Sequence, residues 1–67
     1  MEINSDMIRL VFDGFELRYH RGLSGMVGWS VMRDGKFAIP FGSWETAWDS
    51  LTTVERSRCI SFANQLR

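Results

Sequence analysis

Two Asp-Gly pairs, Asp13-Gly14 and Asp34-Gly35, each divide a run of alternating apolar and polar residues, and no other feature constrains the chain as much. Asp-Gly accommodates the positive φ angles of a type I′ turn, so each pair predicts a two-residue hairpin loop. For the first hairpin, Met7 to Phe12 and Phe15 to His20 form the strands. The turn sets the register: Phe12 faces Phe15, Leu10 faces Leu17 and Ile8 faces Tyr19, which puts six apolar side chains on one face. On the other face Arg9 lies opposite Arg18. Like charges at that spacing repel unless an anion, Glu16 or open solvent relieves them.

The second hairpin is expected from about Met26 to Arg33 and from Lys36 to Phe41. A regular ladder would pair Met32 with Phe37 and Ser30 with Ile39 on one face, and Val31 with Ala38 and Trp29 with Pro40 on the other. Pro40 has no N–H to give a ladder, which suits an edge strand. Gly28 and Ser30 are small and predict close packing of a helix on the Met32 face. Beyond the hairpins, Ser43 is a good N-cap for a stripe of Trp44, Ala47, Trp48 and Leu51. Thr52 and Glu55 have capping-box spacing before a second stripe of Cys59, Phe62, Ala63 and Leu66. The fold class is therefore α+β, a four-stranded antiparallel meander followed by one kinked helix or two short ones packed on one face.

With 67 residues there is room for one core, so residues 1–67 form a single domain: a flexible N-terminus over 1–6, hairpins over 7–41 and helical structure over 43–66. Hydrophobic residues at 45% against 24% charged argue for a folded chain over a disordered one. Three Trp, one Tyr and five Phe supply much of the core, and a single cysteine, Cys59, excludes an intrachain disulfide. These features predict a cytoplasmic protein. No apolar run approaches the roughly 20 residues of a membrane span, so no membrane association is expected.

Chemistry-bearing residues are sparse. His20 and Cys59 are the only residues for a thiol-imidazole pair, and the expected register puts His20 on the polar strand face while Cys59 falls on a core stripe. One His and one Cys leave only scattered carboxylates as metal ligands. Glu45 and Asp49 belong on the solvent side of the first helix. Gly22, Gly25 and Gly28 lead into a strand, where a phosphate-binding loop would open a helix. The reading is that the chain is no enzyme and has no catalytic residues, no metal site and no cofactor.

What remains is surface. Arg9, Arg18, His20 and Arg21 cluster on or beside the outer face of the first hairpin, Leu23 lies near the tip of the Arg21–Gly25 loop, and Arg33 and Lys36 flank the second turn. Arginine with exposed apolar groups is a usual make-up for binding anchors, so these seven are the candidate contact residues. The second hairpin is apolar on both faces, and Trp29, Val31 and Ala38 are candidates for self-association, leaving monomer and homodimer both open.

Two resemblances bear on the partner. The stretch Trp29 to Leu51 resembles the strand, turn, strand and helix of phage integrase arm-binding and plant AP2-type domains, which implies a sheet laid on nucleic acid. In size and make-up, a compact, neutral, aromatic-rich chain, the protein is similar to small phage-encoded inhibitors of host machinery such as anti-CRISPR proteins. That similarity implies a partner that is a host protein or protein complex, met in the host bacterial cytoplasm. Eight basic residues balance eight acidic ones, which supplies little of the electrostatic attraction that dominates nucleic-acid binding. The protein-binding reading is therefore preferred over the nucleic-acid one.

Overall fold

A computed structural model describes residues 7–21 and 27–67 of the chain. The segment 1–6 and the loop bearing Leu23, with Met26, lie outside the described residues. Four strands, β1 Met7–Phe12, β2 Phe15–Arg21, β3 Val27–Arg33 and β4 Lys36–Gly42, form one antiparallel sheet in the order β1-β2-β3-β4. Two helices follow, α1 Trp44–Ser50 and α2 Thr53–Gln65. The fold is the α+β meander that the turns and caps imply.

The first hairpin has the expected register, with Phe12 opposite Phe15, Leu10 opposite Leu17 and Arg9 opposite Arg18. Its turn is of a different type. Asp34 is the one non-glycine described residue with positive φ (53°), and with Gly35 at 76° it makes the second turn type I′. In the first turn Gly14 alone takes a positive φ, 90°, which is the type II pattern.

The ladder between β3 and β4 departs from the regular one. Met32 pairs with Phe37, but Val31 then faces Ile39 and Trp29 faces Gly42, so β4 carries one extra residue at each of two irregularities. Expected pairs Ser30–Ile39, Val31–Ala38 and Trp29–Pro40 are thereby replaced. Pro40, which has no N–H to donate, lies within the second irregularity. Its carbonyl instead accepts the Ser30 hydroxyl at 2.6 Å, and a side chain takes the place of a ladder bond.

The helices cover the opposite face from the one the small residues suggested. Phe15, Leu17, Val31, Ala47 and Leu51 form the buried core, flanked by Leu10, Phe12, Trp29, Ile39, Trp48 and Cys59. Gly28 is small for another reason: the ring of Phe41 folds over it, and a Cβ at position 28 would fall well inside van der Waals contact of that ring. Beside the core, Tyr19, Trp29, Trp44 and Trp48 form a chain of ring contacts with centroids 4.6 to 5.6 Å apart.

Two helices, not one kinked helix, follow from the caps. Ser43 accepts the Thr46 N–H, and Leu51 ends α1 in extended conformation. Thr52 and Glu55 then form a reciprocal capping box at 2.8 and 3.1 Å. α2 buries no residue, and its second apolar stripe is more exposed than its spacing suggested. Polar contacts hold it. Arg33 at the end of β3 grips Glu55 through two bonds of 2.6 and 2.8 Å and also donates to the Ser50 carbonyl. Arg56 donates to the Trp48 and Asp49 carbonyls at the C-terminus of α1.

Arg33→Ala removes three charge-assisted bonds and leaves Glu55 beside the sheet without its partner. Urea denaturation is expected to show a loss of about 2 kcal/mol, against a change within about 0.5 kcal/mol for Lys36→Ala at an exposed turn position.

Candidate binding face of the sheet

Strand alternation places Arg9, Val11, Glu16, Arg18, His20, Ser30 and Met32 on the face away from the helices. From β4, Phe37 joins them under the Arg18 guanidinium, 5.9 Å from the ring centroid, and Phe41 lies 6.2 Å from the His20 ring. This face is open to solvent in its outer rows. Val11 is 68% exposed, Phe37 51% and Phe41 47%.

Glu16 organises the charges. The Arg9–Arg18 repulsion read from the register is relieved because the Glu16 carboxylate bridges both guanidiniums. Arg9 donates to it at 2.7 and 3.1 Å, and Arg18 at 2.5 Å. The hydrogen bond from Arg9, then that from Arg18, lowers the Glu16 carboxyl from its ordinary value of 4.5 to about 2. The same contact raises the Arg9 guanidinium. Two arginines are thus held in fixed directions with part of their charge neutralised, and Arg18 also lies over the Phe37 ring.

A second polar device lies one row further along. Ser30 is buried and gives its single proton to the Pro40 carbonyl, so the 2.8 Å contact from His20 Nε2 has His20 as the donor. His20 is therefore tied into the sheet. Cys59 lies on the helix side of the sheet, where burial raises its thiol pKa, so the two do not meet as a catalytic pair. Among the described residues no three His, Cys, Asp or Glu side chains converge to hold a metal. No described helix is long and apolar enough to cross a membrane.

The seven candidate contact residues separate. Arg9, Arg18 and His20 share the open face. Arg33 belongs to the helix side, where it is committed to Glu55, and its guanidinium pKa is raised by that bond. Arg21, at the exposed end of β2, alternates onto the helix side with Leu17 and Tyr19, while Lys36 is exposed at the second turn. Leu23 is outside the described residues. Of the self-association candidates, Val31 is fully buried and Trp29 packs on Trp44, so only Ala38 is exposed. That trio does not form a patch.

Sequence reasoning missed Phe37 and Phe41 as surface aromatics, and named Glu16 only as one of three ways to relieve the arginine pair. For Phe37 the signal was present in its pairing with Met32. The Phe41 position depends on the two irregularities in β4, which no local pattern announces. Comparison with protein-family models, with curated proteins and with solved structures returns no match to this chain.

A depressed folded pKa stabilises above the ordinary carboxylate value, and the contribution is lost as pH falls. For Glu16 the window runs from about 4.5 down to about 2. The melting temperature of the wild type is expected to fall through that window and that of Glu16→Gln to fall less, with the remaining slope due in part to Glu55, whose pKa is also lowered by Arg33. Thermal unfolding followed by circular dichroism at pH 2 to 7 measures both slopes.

Proposed function

We propose that the chain is a non-catalytic binding module that docks a protein partner on the open face of the sheet. The observation that carries this reading is the Arg18 guanidinium laid over the half-exposed Phe37 ring and fixed there by Glu16. A pre-positioned arginine and an aromatic ring lose little conformational freedom on binding, and both are enriched among the residues that dominate interface energy. Val11, Phe41 and Met7 extend the exposed apolar area around them.

Charge favours protein over nucleic acid. Phosphate binders neutralise several phosphates at once, whereas here two arginines share one carboxylate and the chain as a whole has a net charge of zero. For the same reason a mimic of nucleic acid, which needs a dense acidic surface, is a poor fit. Similarity in size and make-up to small inhibitors of host machinery makes occlusion of a surface on a larger complex the mode we favour.

The test is affinity capture from nuclease-treated lysate with wild type and Phe37→Ser in parallel. Position 37 is chosen because it is exposed, whereas a charge reversal at Arg18 would set two carboxylates against each other. A single stoichiometric protein held by the wild type and released at least tenfold by Phe37→Ser is the expected result. Recovery that disappears with nuclease, together with steep salt dependence on heparin, would move the assignment to nucleic acid.

A further inference from the structure

We infer that a second copy of this chain docks on the edge of β1 that no described strand pairs with, pairing antiparallel with its own β1 about a two-fold axis at Leu10. The sheet has two edges and treats them differently. β4 carries Pro40 and two register irregularities, and both features discourage another strand from pairing there. β1, Met-Ile-Arg-Leu-Val-Phe, is six residues in uninterrupted register with β2 and has a single charge. It has none of the devices that protect the other edge.

Register selects the axis. The pair flanking a two-residue turn, Phe12 and Phe15, is a hydrogen-bonded one, so counting back leaves the backbone groups of Met7, Arg9 and Val11 pointing away from β2. Paired residues must also share a face. An axis at Arg9 would set two arginines against each other. An axis at Leu10 sets Arg9 opposite Val11 of the second copy, with both using their outward backbone groups, and Ile8 opposite Phe12. At this axis the arginine of each copy faces an apolar Val11 and stays bonded to its own Glu16.

Side chains at this edge are exposed in the way such a contact would relieve. Ile8 is on the core side of the sheet yet 53% exposed, because α2 covers the Phe12 end of β1 through Phe62, edge to face at 5.8 Å, and leaves the Ile8 end bare. In the paired arrangement Ile8 meets Phe12 of the other copy. Alongside runs an apolar groove of about 360 Å³ between β1 and the helices, bordered by Leu10, Trp48, Ile60, Phe62 and Leu66. From Cys59 to the C-cap Leu66 the chain carries no charge over eight residues, between Arg58 and Arg67. Met7, Ile8, Val11, Ile60, Phe62 and Leu66 together expose the equivalent of about three whole apolar residues, on the order of 500 Å². That is a large part of the ~800 Å² per partner in a standard interface.

Sedimentation velocity from 1 μM to 1 mM tests the inference. Wild type is expected to pass from the 7.8 kDa monomer to twice that mass, and no larger. Val11→Lys, facing Arg9 of the second copy twice in the dimer, is expected to weaken the dissociation constant about tenfold, and Val11→Thr, which adds no charge, to change it less than about threefold. Val27→Lys, on β3 and about half exposed, is the control and leaves it unchanged; circular dichroism confirms that each variant is folded. A monomer throughout the range overturns the inference. So does equal behaviour of the Lys and Thr variants, which would contradict the Leu10 register.

Discussion

The bond between Arg33 and Glu55 decides more of this structure than its size suggests. α2 buries no residue of its own, so apolar packing alone does not specify where it lies. Glu55 is at once the third residue of the capping box that starts α2 and the acceptor for an arginine at the end of β3, and that same arginine reaches the Ser50 carbonyl at the end of α1. One side chain therefore joins the sheet and both helices. Once α2 is fixed over the Leu17 and Val31 side, no described helix covers the other face, and its outer rows become surface.

The open face follows from that placement together with the strand period. Arg9, Arg18 and Glu16 alternate outward because Leu10 and Leu17 alternate inward, and the electrostatic conflict between the two arginines is resolved inside the face by a carboxylate. The result is a rigid, partly neutralised arginine cluster beside exposed aromatic rings. Such a surface is suited to a partner with its own apolar and acidic groups. It is poorly suited to a polyanion, which would gain little from arginines whose charge is already engaged.

Much of this was legible in the residues, and the reasons differ by element. The register of the first hairpin could be read because a two-residue turn fixes it and the apolar pattern agrees, although the turn type could not. Both helix starts were readable from Ser43, Thr52 and Glu55, whose side chains act on their own neighbours. Long-range choices were not readable. Gly28 and Ser30 looked like room for a helix, yet Phe41 and Pro40 of the adjacent strand take that room after two irregularities in β4 that involve no local signal. Arg33 looked like a surface cation because its partner is twenty-two positions away. Phe37 was placed correctly beside Met32, but its exposure depended on which face the helices chose.

The measurement closest to the centre of this account is a set of methyl and aromatic NOEs that report which face the helices cover. Contacts from Ala47 and Leu51 to Leu17 and Val31, and from Phe62 to Phe12, with none from either helix to Met32 or Phe37, are expected. Helix contacts to Met32 and Phe37 would contradict it, since the face bearing Arg9, Arg18 and Phe37 would then be interior.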